Sequence, residues 1–377
     1  MALIGAGLYI KTRMIEVTAV ETSTDWDLFS KLGKYDHEQI LVCNDNTTGL
    51  KAIIAVHNTI LGPGLGGTRM WNYKSEHEAI RDVLRLSRGM TYKAAISGLN
   101  LGGAKAVIIG DADKQKSESL MRRFGKFVNN LGGKYITAED VGTTTQDMEY
   151  VNMETDYVVG LPVSRGGGGD PSPVTAYGVY MGMKASAKKQ FGTDDLSGKK
   201  VGVMGVGKVG MHLVDLLNKE NAEVFVSDIN EANLEEASKN YGAQVVDDII
   251  SIEQDIFAPC ALGGILNDEN ISKLKCAVIA GAANNQLDKE SVHGPLLKEK
   301  GIAYAPDFLI NAGGLINVYE EWNGYNRENA IHDTERIYQT TLDIYSYADA
   351  HDLHTQAAAT KLAEERLSLM QHVQSRV

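Results

Sequence analysis

The chain of 377 residues is too long for one small core, which favours two or three domains. Its contents of 43% hydrophobic and 23% charged residues are ordinary for a soluble globular protein. A formal net charge of −12 without a basic cluster excludes a general nucleic-acid binder, and we expect no association with membranes.

The N-terminal segment, residues 1–13, is apolar between Ala2 and Ile10 and has no basic residues before that stretch. It is far shorter than the ~20 residues of a membrane span. Met14 begins a more ordinary acidic sequence. We therefore expect residues 1–13 to be a disordered leader or extension, and we assign them no function.

The first half of the chain predicts strands alternating with helices. Residues 51–57 are rich in β-branched and apolar residues, as in a buried strand. Ser75 and Glu78 have the spacing of a capping box, and apolar residues recur at helical spacing after them. Short apolar runs at 106–109 and 135–137 predict further strands, with a helical pattern between them at 117–131. These elements predict an αβ domain.

A break in the pattern comes at 161–173, where residues 165–169 form a glycine-rich run typical of a flexible connection. Ser172 followed by Pro173 predicts an N-cap and the first position of a helix. This helix, at about 173–190, is expected to connect two domains.

From residue 199 the pattern is strand, helix, strand, helix, with helices at 208–219 and 231–241. Short apolar runs near 255–258, 276–280 and 302–305 predict further strands. Strands that alternate with helices are typical of a doubly wound parallel sheet. After about residue 327 the chain is expected to be helical to its end.

The nucleotide motif with the clearest mechanism is Gly205-Val206-Gly207-Lys208-Val209-Gly210. It follows an apolar strand and opens a helix, and Asp228 lies 23 residues after the first glycine. These glycines permit a tight turn, approach of a pyrophosphate to the backbone, and close packing of helix on strand. Asp228 can accept hydrogen bonds from a ribose and repel a 2′-phosphate, which favours NAD over NADP.

Several long motifs occur in the same order as in the glutamate/leucine/phenylalanine/valine dehydrogenase superfamily. They are GPGLGGTRM at 62–70, GMTYKAA at 89–95, GLNLGGAK at 98–105, TAEDVGT at 137–143, DPSPVTAYGV at 170–179, ANNQL at 283–287 and NAGGLINV at 311–318. The chain resembles this superfamily from about residue 30 onwards, and its leucine-specific members most closely.

The resemblance implies an α/β fold of two domains with a cleft between them. Residues 14–160 together with 350–377 would form an αβ domain for substrate binding, catalysis and oligomerisation. Residues 161–349 would form a Rossmann-type doubly wound NAD-binding domain. Similar enzymes form closed homo-oligomers, often octamers, and we expect a homo-oligomer here.

The resemblance also assigns the catalytic residues. It implies that Lys93 binds the substrate carboxylate, that Lys105 is the general base and that Asp140 is the acid/base partner. A lysine acts as a base near neutral pH only where burial or a neighbouring cation lowers its pKa, and a second lysine supplies such a cation. Thr175 and Asn284 are expected to contact the cofactor. Gly102 and Gly103 are expected to let the substrate approach the backbone.

Substrate specificity is expected to follow from an apolar pocket. The position that matches Leu65 is a lysine in glutamate dehydrogenases, where it pairs with the side-chain carboxylate of glutamate. The pocket residues implied here are all apolar or small: Leu65, Gly66, Met90, Ala138, Leu315 and Val318. Such a pocket suits leucine, isoleucine or valine, because a buried glutamate carboxylate would have no partner.

Other interpretations remain open at this point. Phenylalanine or valine could be the preferred substrate, since one methylene changes binding by only ~1–3 kcal/mol. A non-catalytic NAD-binding regulatory protein would require loss of Lys105 or Asp140, and both are present. Three widely spaced cysteines predict a reducing, cytoplasmic compartment, and no metal-ligand motif is present, so we expect no bound metal.

Overall fold

The computed structural model describes residues 28–374, so the expected leader at 1–13 lies outside the described residues. The elements of the N-terminal half are α1 (Leu28–Tyr35), β1 (Gln39–Asp45), β2 (Leu50–Asn58), β3 (Gly64–Trp71), α2 (Glu76–Ile96), β4 (Gly102–Ile109), α3 (Ala112–Gln115), α4 (Glu118–Asn129), β5 (Tyr135–Glu139) and α5 (Thr145–Asn152). No helix in this described range is long and apolar enough to cross a membrane.

The connecting segment contains a short 3₁₀ helix, Val163–Arg165, and is followed by the long helix α6 (Ser172–Phe191). The remaining elements are β6 (Lys200–Met204), α7 (Lys208–Lys219), β7 (Glu223–Ser227), α8 (Glu231–Tyr241), β8 (Gln244–Val245), β9 (Ile256–Pro259), α9 (Asp268–Lys273), β10 (Val278–Ile279), α10 (Glu290–Glu299), β11 (Ala303–Tyr304), α11 (Asp307–Ile310), α12 (Gly313–Trp322), α13 (Arg327–Ala350) and α14 (Thr355–Gln374).

The N-terminal sheet has the strand order β1-β2-β4-β3-β5. Strand β2 is antiparallel to β1 and β4, whereas β3 is parallel to both β4 and β5. Strands β2 and β4 are almost wholly buried, which explains their continuous apolar sequences and confirms the strand predicted at 51–57. The central position of β3 decides which side chains of its two neighbours can meet.

The register of β3 brings two functional segments together. Thr68 in β3 pairs with Ala106 in β4 on one side and with Glu139 in β5 on the other. Lys105 immediately precedes Ala106 in the chain, and Asp140 immediately follows Glu139, so both lie one residue from this pairing. A Cβ atom on Gly67 would come within 2.9 Å of the Asp140 Cβ, so the glycine lets the Asp140 side chain lie over the strand.

The second sheet is parallel throughout, with the order β11-β10-β9-β6-β7-β8. This confirms the predicted doubly wound arrangement. The strand order reverses between β6 and β9, and in such sheets ligands bind outside the carboxyl ends of the strands at this point. The glycine motif at 205–210 follows β6 directly and therefore lies at the reversal.

The C-terminal helix α14 returns to the N-terminal half of the molecule. The guanidinium group of Arg366 donates hydrogen bonds to the carbonyl oxygens of Ala95, at 2.8 Å, and Gly98, at 3.0 Å, at the end of α2. α14 also packs against α13, which lies on α6. The division into 14–160 with 350–377, and 161–349, stays a prediction.

Three local predictions need correction. Helix α6 begins at Ser172 and its N-cap is Pro171, so the prediction of Ser172 as the N-cap was wrong. The helix starts one residue earlier than expected because Pro171 already has helical backbone angles. The Ser75 hydroxyl accepts from the Glu78 amide, but the Glu78 carboxylate accepts from the Lys74 amide, so only half of the capping box forms. Lys105 lies inside β4 rather than before it.

Candidate active site

The centre of the site is an ion pair between Lys105 in β4 and Asp140 after β5. The Lys105 Nζ lies 3.1 Å from the Asp140 Oδ2, and only 6% of Lys105 is exposed. The Asp140 amide donates to the hydroxyl of Thr143, which fixes the turn that carries the carboxylate. The two residues implied as base and acid/base partner are thus in direct contact.

Burial and charge shift the pKa values of this pair in a consistent direction. Burial lowers the pKa of Lys105, and Asp140 opposes that shift without cancelling it. Burial disfavours the Asp140 carboxylate, but Lys105 and Arg69 outweigh it and hold the pKa of Asp140 below its usual value. The site therefore combines a lysine that loses its proton more easily than usual with a carboxylate that stays ionised.

Lys93, on α2, is the second amine of the site. Burial lowers its pKa to about 8, with Asp307 opposing the shift and the charge of Lys105 adding to it. Helix α2, which carries Lys93, packs directly on β4, which carries Lys105. Lys93 is thus a cation at neutral pH that can bind a carboxylate.

Asn311, at the end of α11, connects Lys93 with the nucleotide-binding half. Its Oδ1 accepts from the Lys93 Nζ at 2.7 Å, and its Nδ2 donates to the Oδ1 of Asn284 at 2.8 Å. The motif at 311–318 contained Asn311, but sequence reasoning gave it no role. In the sequence, the sign of such a role is an amide side chain at the start of that motif. Only the fold shows that the Asn311 side chain contacts a lysine 218 residues away.

Asp307 is a second residue that sequence reasoning missed. It is almost fully buried, and burial raises its pKa to about 6. Its carboxylate oxygens accept from the backbone amides of Gln286 and Phe308, at 2.9 and 2.7 Å. Asp307 therefore ties the 283–287 segment to α11, beside Lys93.

The glycines before Lys105 have a packing role that was not expected. A Cβ atom on Gly102 would meet the Asn58 carbonyl oxygen at 2.0 Å, and one on Gly103 would meet the Thr91 amide nitrogen at 2.2 Å. The space beside both residues is filled by β2 and α2. These glycines allow close packing within the domain, and the expected approach of substrate to their backbone stays a prediction.

The residues implied for the side-chain pocket share one apolar environment. Leu65, Ala138 and Leu315 are buried in the same hydrophobic cluster, and Met90 and Val318 pack against it. A Cβ atom on Gly66 would lie 3.3 Å from the Met90 Cγ. All five apolar side chains are therefore packed in or against the large hydrophobic cluster that runs through both halves of the chain.

The glycine turn after β6 has the properties of a dinucleotide site. Gly205 has φ +98°, and a Cβ atom on Gly210 would meet the Gly205 carbonyl oxygen at 2.0 Å, so both positions require glycine. Gly207 is the N-cap of α7 without a side-chain cap, and the space at its Cβ is open. A diphosphate fits this helix N-terminus.

The Asp228 carboxylate lies beside the glycine turn and is held by two backbone amides. The Asp228 Oδ2 accepts from the Val206 amide at 2.7 Å, and its Oδ1 accepts from the Asn230 amide at 2.8 Å. Each carboxylate oxygen retains a lone pair for a further donor. Asn230, not Asp228, is the N-cap of α8. Val209 lies within α7, half-buried against the sheet.

The connecting segment is held more firmly than its glycine content suggests. The Glu321 carboxylate accepts from the Leu161 amide at 3.0 Å and the Gly168 amide at 2.9 Å. Thr175, in the first turn of α6, donates its hydroxyl to the Pro171 carbonyl. Lys208 reaches back to Asp170 at 3.5 Å, which joins this segment to the glycine turn.

The chain combines an αβ domain that holds a buried lysine–carboxylate pair with a parallel sheet of the dinucleotide-binding type, an arrangement that suits a two-domain dehydrogenase. The chain belongs to the glutamate/leucine/phenylalanine/valine dehydrogenase family and is an amino-acid dehydrogenase. Residues 37–157 match the dimerisation domain of that family, and residues 225–371 match its second domain. Such a dehydrogenase implies a nicotinamide cofactor.

The most informative relatives differ in substrate. The chain is 55% identical to leucine dehydrogenase of Geobacillus stearothermophilus, over 93% of this chain and 95% of the relative. It is 48% identical to phenylalanine dehydrogenase of Bacillus thermotolerans, over 91% of each chain. The crystal structure of L-tryptophan dehydrogenase from Nostoc punctiforme superimposes with a TM-score of 0.82, at 44% identity, over 91% of this chain and 99% of that one.

Proposed function

We propose that the protein catalyses the reversible, NAD-dependent oxidative deamination of L-leucine, and of other branched aliphatic L-amino acids, to the 2-oxo acid and ammonia. The observation that carries this proposal is the buried Lys105–Asp140 pair next to Lys93 and an apolar cluster. The greater similarity to leucine dehydrogenases than to phenylalanine dehydrogenases supports leucine as the preferred substrate.

Substrate binding uses charge at one end and apolar surface at the other. Lys93, held by Asn311, binds the substrate carboxylate as a cation. The aliphatic side chain lies against Leu65, Leu315 and the other apolar residues of the expected pocket, where a carboxylate would lack a partner. A bound nicotinamide ring supplies the acceptor for the hydride that leaves the substrate Cα.

Proton transfer is the task of Lys105 and Asp140. Neutral Lys105 removes a proton from the water that adds to the iminium carbon of the substrate. Protonated Lys105 passes that proton through Asp140, at 3.1 Å, to the substrate nitrogen. Lys105 then takes the hydroxyl proton of the carbinolamine as the C–N bond breaks, which leaves a 2-oxo acid and ammonia.

The preference for NAD over NADP rests on Asp228. Its carboxylate follows β7 at the point where an adenosine ribose is expected, and a 2′-phosphate would be repelled there. The remaining cofactor contacts that we propose are the residues of the turn, Gly205 to Gly210, together with Thr175 and Asn284.

We also propose that the protein is a cytoplasmic homo-oligomer, an octamer as in similar enzymes. Exposed apolar side chains on the N-terminal half, Val42, Trp71 and Val141, support association through that domain. The free thiols of Cys43, Cys260 and Cys276 suit a reducing compartment. Light scattering should give eight times the chain mass of 40.9 kDa. A monomer at micromolar concentration would contradict the oligomer.

One spectrophotometric assay tests the activity. NADH formation should be fastest with L-leucine, lower with L-valine by about tenfold or more in kcat/KM, and absent with L-glutamate. A higher kcat/KM with L-phenylalanine would assign the protein to the alternative specificity. NADP in place of NAD should give little reduction, and equal use of both would remove the role of Asp228.

A further inference from the structure

A network of ion pairs continues from Asp140 away from Lys105. The Asp140 Oδ2 that contacts Lys105 also accepts from the Arg69 Nε at 3.0 Å. The Nη1 of Arg69 donates to the Asp82 Oδ2, also at 3.0 Å. One carboxylate oxygen of the catalytic pair is therefore shared between two cations, and the second cation is anchored elsewhere.

The Asp82 carboxylate, which anchors Arg69, is itself held by two further side chains. The Tyr73 hydroxyl donates to the Asp82 Oδ2 at 2.8 Å, and Arg85 contacts the Asp82 Oδ1 at 2.9 Å. Arg69 comes from β3, Asp82 from α2 and Asp140 from the turn after β5. Three separate segments thus meet at one guanidinium group, whose planar fork fixes the relative direction of both carboxylates.

We propose that Arg69 is a positioning residue of the catalytic site, which holds the Asp140 carboxylate beside Lys105 while Asp82 holds Arg69 in place. This inference rests on the proposed deamination, because the network ends on the two residues that transfer protons there. Arg69 acts through Asp140 and has no direct part in substrate binding.

The geometry explains why a second cation is useful. Asp140 beside Lys105 alone would form a simple ion pair, which favours the protonated lysine. Arg69 competes for the same oxygen, and its positive charge also lowers the pKa of Lys105. Asp82 acts in the opposite direction on Lys105. The balance between Arg69 and Asp82 therefore tunes how readily Lys105 becomes neutral.

The charged and titratable groups facing this network come from β3 and the segment after it, from α2 and from β5. Around Lys105 and Asp140 they are Arg69, Asp82, Lys93 and Tyr135, and around Arg69 and Asp82 they are Tyr73, Arg85, Glu78 and Arg81. Arg69, Asp82 and Tyr73 line a surface cavity of about 570 Å³. The network thus leads from a solvent-facing cavity to the buried lysine.

The test compares pH profiles of kcat and KM for L-leucine oxidation in the wild type and in Arg69→Gln and Asp82→Asn variants. Neutral Lys105 is the active form, so activity rises with pH on the acidic limb. Arg69→Gln removes a charge that lowers the Lys105 pKa, and this limb should move to higher pH. Asp82→Asn removes a charge that raises it, and the limb should move to lower pH.

Both variants should lower kcat, by about 100-fold for Arg69→Gln, because the carboxylate loses its orientation. The KM for L-leucine should change little. Arg69→Lys keeps the charge without the planar fork, so its acidic limb should stay near the wild-type position while kcat falls less. If Arg69→Gln fails to fold, Asp82→Asn still tests the shift of the acidic limb to lower pH, and Arg69→Lys still tests the loss of kcat that follows from losing the planar fork.

Arg122→Gln is the matched control. Arg122 also contacts two carboxylates, those of Glu154 and Glu118, but lies on α4 outside the site, and this variant should retain the wild-type profile. An unmoved acidic limb in Arg69→Gln, or a raised KM with unchanged kcat, would overturn the assignment. A wild type inactive on all aliphatic amino acids would overturn the proposed function as well, so the two failures are distinguishable.

Discussion

Two lysines that follow glycine motifs show how differently the two halves of the molecule use similar local sequence. Lys105 follows Gly-Gly-Ala and is 6% exposed, with Asp140 at 3.1 Å. Lys208 follows Gly-Val-Gly, and its side chain is 80% exposed, with Asp170 at 3.5 Å. Burial between strands lowers the pKa of Lys105, whereas the Lys208 side chain at a helix start stays exposed to solvent.

The difference extends to the two sites as wholes. The N-terminal site is built from charged side chains packed against each other, with pKa values shifted by burial and by neighbouring charges. The nucleotide turn consists mainly of backbone groups at glycine positions, and Asp228 is its main charged side chain. Side-chain substitutions should therefore have larger effects on chemistry than on cofactor binding.

The largest effect is expected from Lys105→Ala. Loss of the general base should lower kcat by about 10³–10⁴-fold. NADH binding, measured by fluorescence titration, should be unchanged because Lys105 lies in the other half. Lys208→Ala, the corresponding change at the exposed lysine, should leave kcat within about tenfold of the wild type. A Lys105→Ala variant with substantial turnover would break the comparison.

The second-largest loss of kcat is expected from Asp140→Asn. The amide keeps the shape of the carboxylate but cannot carry a proton, so kcat should fall by about 100-fold. Burst kinetics with L-leucine should show that the loss lies in the chemical steps. Asp147→Asn, a buried carboxylate of α5 paired with Lys116, serves as the control and should retain kcat. Equal losses in both variants would indicate a general effect on folding.

Asp228→Ala tests the nucleotide half. It removes two backbone hydrogen bonds and the expected ribose contact, so the Kd of NADH should rise by about 10–100-fold. The discrimination against NADP should shrink at the same time, because the repelling charge is gone. Saturating NAD should restore most of kcat. A large loss of kcat at saturation would contradict the separation of the two halves.

The smallest effect concerns Lys93 and pH. With a pKa of about 8, Lys93 is a cation below that pH and becomes neutral above it. Binding of 4-methyl-2-oxopentanoate, whose carboxylate stays ionised, should therefore weaken by up to about tenfold per pH unit above the pKa. Lys93→Met should bind weakly at every pH without this break. A break that persists in Lys93→Met would assign it to another group.

Much of the fold could be predicted from the sequence, because local patterns carry it. The alternation of apolar runs and helices after residue 199 predicted α7 and α8 to the residue, with a strand before each of them. The glycine spacing with Asp228 predicted the nucleotide turn. Shorter elements such as β10 and β11 were predicted too long, since two residues of ladder hydrogen bonding suffice there.

The catalytic residues were predicted through resemblance, not through their local chemistry. A lysine in a sequence gives no sign of its burial, and the positions of Lys93, Lys105 and Asp140 in the folded chain came from β3, β4, β5 and α2 together. Arg69, Asp82 and Asn311 were missed as site members for the same reason. Arg69 is 13 residues from Asp82 and 71 from Asp140 in the chain, and Asn311 is 218 residues from Lys93.

The sequence by itself determined the periodicities and the glycine turn, since these depend on neighbouring residues, whereas the apolar substrate region was predicted through the resemblance. Only the tertiary structure decided that Gly102 and Gly103 face protein atoms, and that one Asp140 oxygen lies between Lys105 and Arg69. Burial and the distances between charges arise when strands and helices pack, and these two quantities set the pKa values on which the chemistry depends.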